Sequence, residues 1–202
     1  MPKNKDLIHI TIIKEIIEKL PINENWKPSD FIKNYWTFYK DNYPNNPSIN
    51  GTIFEELLVL SLLRENISPI YVQAKLAFVP NVILDIVLYN RKTPITISAK
   101  TTLRERWKQA DLEAMATKYV HREAKCYVVT LSHNEVFARR NENNSYMGIN
   151  DFILADTDDY DHLINKLKKL HFSKSEEIKI ITTDEKYVDK STIKSTYNLS
   201  FD

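Results

Sequence analysis

The sequence predicts an α/β fold: a mixed central β-sheet flanked by helices, with a helical N-terminal part. Three observations carry that expectation. The chain opens at helical spacing, with Leu7, Ile10, Ile13, Ile17 and Leu20 recurring every three or four residues up to Pro21. Its middle turns to short apolar runs rich in Ile and Val, divided by turn residues and interleaved with one long helical segment. At 202 residues and 43% hydrophobic content, it has the length of one domain and can build a core without disulfides or a structural metal.

The elements follow in order. After a helix over residues 6–20, a second is expected over 29–41, with Phe31, Tyr35, Phe38 and Tyr39 on one face. The Asn- and Pro-rich stretch 42–50 reads as a loop, polar enough to meet base edges. A third helix starts near Gly51 and carries Phe54, Leu57, Leu58, Leu62 and Leu63. Strands are expected over 71–79, 82–89 and 95–100, then a helix over 103–119 and a buried strand over 126–131. A strand over 151–155 leads into a helix over 160–170, and the tail holds one strand, 178–182. This divides the chain into a helical N-terminal subregion (1–48), a core (51–172) and a C-terminal extension (173–202).

Composition excludes several function classes. Only Gly51 and Gly148 are glycine, so there is no phosphate-cradling loop and no nucleotide cofactor is expected. The single cysteine, Cys126, lies in an apolar run and reads as a buried, inert thiol. Five scattered histidines offer no pair at zinc-ligand spacing. Lys and Arg number 28 against 27 Asp and Glu, so any cationic surface must come from local clustering. No signal-like segment opens the chain and no apolar stretch is long enough for a bilayer, which suggests a soluble, cytoplasmic protein without membrane contact. Asp156, Asp158, Asp159 and Asp161 resemble a metal cluster, but they fall where a helix starts and its dipole favours acids.

One acid stands out. Asp85 interrupts the run 82–88, which is otherwise wholly apolar, and a carboxylate there needs compensation. If residues 91–94 form the turn of a hairpin, Asn90 faces Ile95 and the count brings Asp85 opposite Lys100, on the face that also carries Ser98. Opposed residues hold their Cβ atoms roughly 5 Å apart. A structural ion pair explains this juxtaposition as readily as a catalytic one. Thr102 and Glu105 then match a capping box and start the helix. Its first turns carry Arg104, Arg106 and Lys108 against the dipole preference, and a phosphate backbone would compensate them.

An Asp on one hairpin strand, a Lys on the next and a basic helix after it resemble the PD-(D/E)XK nuclease superfamily. The segment from Ser98 through Arg104-Glu105-Arg106-Trp107-Lys108 to Gln109 is similar to that of type II restriction endonucleases in particular. Gly51-Thr52-Ile53-Phe54-Glu55, heading an apolar helix, is similar to the superfamily's helix with an auxiliary glutamate. Leu84 replaces the usual Pro, and Ser98 stands where the second acid is usual. A subgroup with the same loss supplies the carboxylate from the following helix: Ser-x-Lys, twelve or thirteen residues, then Glu. After Lys100 come the twelve residues 101–112, and Glu113 follows them.

The resemblance implies a single restriction-endonuclease-like domain hydrolysing double-stranded DNA with Mg²⁺, acting as a homodimer and leaving 5′-phosphates. It implies Asp85 and Glu113 as metal ligands, with the Ala99 carbonyl as a further oxygen ligand and Glu55 either binding a second metal or orienting Lys100. Lys100 would act on the attacking water, Arg106 on a phosphate oxygen, and Arg104, Lys108 and Gln109 on DNA. Glu113 lies about 15 Å along a helix that begins at residue 103 and reaches Asp85 only if that helix folds back over the sheet; Glu105 is the alternative ligand. A repair or structure-specific nuclease, a catalytically inactive DNA-binding subunit and a subunit needing a partner are the competing readings.

Overall fold

A computed structural model describes residues 4–79, 81–141, 146–174, 181–182 and 186–201. The helices α1 (Asn4–Lys19), α2 (Pro28–Asn42) and α3 (Pro47–Arg64) come first. They lead into a meander of β1 (Ile70–Leu76), β2 (Leu84–Leu88) and β3 (Ile95–Lys100). Then α4 (Arg106–Val120), β4 (Lys125–Thr130), α5 (His133–Asn141), β5 (Asp151–Leu154) and α6 (Asp158–Leu167) alternate. The tail contributes β6 (Ile181–Thr182), β7 (Lys186–Val188) and α7 (Lys190–Tyr197). Of the strand expected over 178–182, residues 178–180 lie outside the described residues.

The strands form one mixed sheet in the order β5-β4-β3-β2-β1, with β6 and β7 both antiparallel along the outer edge of β1. β1, β2 and β3 are antiparallel neighbours, whereas β3, β4 and β5 run parallel. Parallel neighbours need crossover connections, and α4 and α5 provide them.

Adjacent residues of the central strands feed opposite cores. Val129 and Ile153 join Ile86 and Ile97 under the helices that carry Ile13, Phe31, Tyr35, Phe54 and Tyr160. Val128 and Phe152 face the other way, onto Leu103, Trp107, Ala110 and Ala114 of the α4 side. Fully burying one such large side chain stabilises the fold by about 1.5–3 kcal/mol. The period-2 pattern of the strands thus determines which helices cover which face.

Two local expectations are corrected. The stretch 42–50 is only partly a loop: α3 starts at Pro47, four residues before Gly51, because the Asn46 side chain accepts from the Ser48 and Ile49 amides. Asn50 is buried inside that helix, accepting from the Tyr39 hydroxyl and donating to Asn45, each at 2.8 Å. The helix expected from residue 103 begins instead at Arg106, and no side chain caps it. The Thr102–Glu105 capping box does not form, since the Leu103 and Arg104 amides donate to Glu135. α5 was not anticipated. Only Val136 of it is buried, so it carries no apolar period to read.

Candidate active site

Asp85 sits on β2 in the middle of the meander, four-fifths buried, with its Oδ2 accepting three hydrogen bonds. They come from the Ala99 amide at 2.8 Å, Lys100 Nζ at 2.8 Å and Ser98 Oγ at 3.2 Å. Donors of this number and an adjacent cation are what an ionised carboxylate needs when withdrawn from water. The hairpin register differs from the expected one. Leu88 pairs with Ile95 and Ile86 with Ile97, so the count sets Asp85 opposite Ser98 rather than Lys100. The slip is two residues, an even number, so Lys100 keeps its face and reaches Asp85 diagonally.

Glu113 comes to this site from α4, which packs on β3 and β4. It lines one small cavity with Asp85, Thr96 and Ser98 of the sheet and Ala110 and Ala114 of its own helix. The two alanines let the helix lie close to the strands. Burial raises the Glu113 carboxyl above its ordinary value; the Gln109 amide (2.8 Å) and the Lys100 charge oppose the shift, and the Asp85 charge adds to it. Glu105, the alternative acid, is 81% exposed at its side chain and pairs with Lys108 at the rim. The structure therefore brings Glu113, and not Glu105, to Asp85.

The seat of α4 depends on Asp111 and Gly148, two residues the sequence reading left without a role. The buried Asp111 carboxylate accepts the amides of Met147 (3.0 Å), Gly148 (2.7 Å) and Ile149 (2.9 Å). A Cβ on Gly148 would stand 2.4 Å from Met115 N and 2.5 Å from the Asp111 carbonyl. The loop before β5 thus lies directly on the α4 backbone, two residues from Glu113. A glycine at a close backbone approach was the one legible signal for this contact.

Glu55 reaches the site from α3. Desolvation pushes its carboxyl up to about 8, with the Asp85 charge reinforcing the shift and the Gln73 hydrogen bond and Lys100 opposing it. Gln73 Nε2 donates to both Glu55 oxygens, at 3.0 and 3.1 Å. Val72 pairs with Ile86 and Ala74 with Leu84, so Gln73 stands opposite Asp85, and its φ of 49° is left-handed. Such a backbone is uncommon for a residue with a Cβ and marks a constrained position. Gln73 was missed, although a lone amide in the apolar run 70–74 is the same kind of signal that exposed Asp85.

The basic residues lie at the open end of α4. Arg104, Arg106, Lys108 and Gln109 are all exposed. Arg104 (φ 38°) is held through its own amide by Glu135, which also accepts from Leu103 N and Ser132 Oγ. Lys108 and Arg139 lie 5.9 and 5.0 Å from the Trp107 ring centroid, within cation–π range.

The acids at the start of α6 have structural partners. Asp161 accepts from both the amide and hydroxyl of Ser29, Asp158 pairs with Lys27, Asp159 with Arg140 and Asp156 with His133. Among the described residues no three His, Cys, Asp or Glu side chains already converge as a ready metal cage, and no helix is long and apolar enough to cross a membrane.

No protein-family profile and no curated protein matches the sequence. Solved structures do. The restriction endonuclease PspGI, in complex with its substrate DNA, superposes with a TM-score of 0.52 at 17% identity over 86% of each chain. This chain has the fold of a restriction endonuclease. A type III CRISPR defence DNA nuclease activated by cyclic oligoadenylate also matches, at TM-score 0.33 and 20% identity, over 62% of this chain and 20% of that one. Within the shared fold, the meander of β1–β3 and the crossover helix α4 are the elements that carry Asp85, Lys100 and Glu113.

Proposed function

We propose that the chain is a type II restriction endonuclease: one nuclease domain over residues 1–202, cytoplasmic, hydrolysing double-stranded DNA site-specifically with Mg²⁺ as a homodimer. The observation that carries this reading is the meeting of Asp85, Lys100 and Glu113, with Glu113 entering from α4 beside the serine that occupies the second acid's place. The likeness to PspGI, solved on its substrate DNA, favours DNA as the substrate.

The donor set suits Mg²⁺, which prefers oxygen ligands and keeps several of its waters. Asp85 and Glu113 would hold it, with the Ala99 carbonyl and Glu55 as further ligands. Burial first and the Asp85 charge second disfavour the ionised form of Glu55, and a divalent ion bound here would favour that form instead. When bound, Mg²⁺ supplies charge neutralisation at the phosphate and a more acidic water.

The chain's own residues do the rest. Lys100 Nζ orients the attacking water and assists loss of its proton. Ser98 and the Ala99 amide keep Asp85 aimed at the site. Arg106 holds a phosphate oxygen, while Arg104, Lys108 and Gln109 contact the duplex. Water oxygen adds to phosphorus as the bond to O3′ breaks, leaving a 5′-phosphate and a 3′-hydroxyl. The test is incubation with phage DNA and Mg²⁺ followed by mapping of the ends. Discrete fragments with 5′-phosphates are expected; intact DNA with both Mg²⁺ and Mn²⁺ overturns the reading.

A further inference from the structure

The connection between β3 and α4 is held from another element. No side chain caps α4 at its own start, and the amides of Leu103 and Arg104 donate to the two Glu135 oxygens on α5. The Ser132 hydroxyl gives the same carboxylate a third bond. Burial works against the Glu135 charge, but these three donors and the Arg104 guanidinium hold its carboxyl below the ordinary value. Leu103 fixes the turn from the other side: its side chain is fully buried in the core that also takes Val136, and its carbonyl accepts the Arg106 amide at 2.7 Å. Between these anchors Arg104 keeps a left-handed φ of 38° with its side chain exposed. Such a backbone persists in a residue with a Cβ only where its surroundings impose it.

We infer that Glu135 is a positioning residue for DNA binding: by holding the Leu103 and Arg104 amides, it presents the Arg104 side chain to the duplex. The inference rests on the nuclease reading, which gives Arg104 that contact. Glu135 lines one hollow with Arg104, Lys108 and Arg139, where a free carboxylate would repel a phosphate backbone. Both of its oxygens face donors of the chain itself, so the carboxylate is occupied in shaping that cationic rim. An acceptor inside the turn would satisfy the two amides equally well for the helix alone. One on α5 also ties the turn to the element that follows β4. Lys100 does not depend on this tie, since it stands in register with Thr130 on β4 and bonds to Asp85. Glu135 therefore governs how tightly DNA is held rather than how fast it is cut.

Steady-state cleavage of plasmid DNA with Mg²⁺ tests this. Glu135→Gln keeps the volume but offers one acceptor oxygen to two amides. KM is expected to rise at least ~10-fold, as for loss of a hydrogen bond to a charged group, with kcat within about threefold of native. Arg104→Ala should raise KM by a similar factor. Adding Glu135→Gln to it should change KM no further, because the side chain being positioned is gone. Ser132→Ala removes only one anchor of the carboxylate and should raise KM about threefold, which keeps the test open if Glu135→Gln does not fold. A purely structural Glu135 predicts fewer active molecules, hence a lower apparent kcat, at a native KM. That pattern, or a double variant whose KM is the product of the two single effects, overturns the inference. A native protein that neither binds nor cuts DNA overturns the nuclease reading and this one with it. Native cleavage alongside an unchanged KM in Glu135→Gln removes this one alone.

Discussion

Lys100 Nζ lies 2.8 Å from Asp85 Oδ2, and that oxygen also accepts the Ala99 amide and the Ser98 hydroxyl. Both charged side chains are only 17% exposed, so each is the other's principal compensation for lost hydration. Lys100→Met should abolish cleavage, by about 100- to 1000-fold or more in turnover. It should also destabilise the fold by about 3–5 kcal/mol, because Asp85 is left buried and unpaired. Asp85→Asn/Lys100→Met should recover part of that loss in urea denaturation while remaining inactive. Equal stability of the single and double variants would show that the pair is not coupled.

Glu113 and Glu105 separate cleanly by position: one lines the Asp85 cavity, the other extends into solvent beside Lys108. Glu113→Gln keeps the shape and a partner for Gln109 but removes the charge. Turnover on plasmid DNA is expected to fall at least ~100-fold, with Ca²⁺-supported DNA binding changed much less. Glu105→Gln should stay within about threefold of the native rate, as exposed surface positions usually do. The opposite outcome would move the second carboxylate to the rim.

Glu55 gives the metal-free protein a pH signature. Its carboxyl is raised from an ordinary 4.5 to about 8 by burial and by Asp85, so between those values the folded state holds a proton the unfolded chain has released. Stability from this group is complete below about pH 4.5 and is lost as pH rises through about 8. Urea midpoints measured from pH 5 to 9 should therefore decline in the native protein. They should decline less in Glu55→Gln, which has no proton to lose. Parallel curves would place the titration elsewhere.

Gly148 tests how α4 is held. An added Cβ would meet three backbone atoms of that helix, at 2.4, 2.5 and 2.8 Å, and backbone yields little. Gly148→Ala should cost about 1–3 kcal/mol. Cleavage should suffer beyond what the loss of folded protein explains, because the shifted helix carries Glu113. A variant with native kinetics at saturating stability would show that the loop can move without disturbing the site.

The sequence by itself determined the mixed sheet with its helices, and it singled out Asp85 and Lys100. Those features are local: period-2 and period-3.6 patterns sort faces, and an acid in an apolar strand is conspicuous wherever the strand lies. Register was one step less legible. A hairpin with six connecting residues instead of four moves every partner by two, and only the pleat kept Lys100 on the correct face. The start of α4 was misread because its capping acceptor, Glu135, is on another helix about thirty residues later. Gln73 reaches Glu55 from an adjoining strand, and Asp111 binds a loop 36 residues away. Such partners share no sequence pattern, since long-range hydrogen bonds and close backbone contacts exist only once the chain has packed. Tertiary structure alone decided that α4 lies over the meander, and with it that Glu113, rather than Glu105, stands beside Asp85.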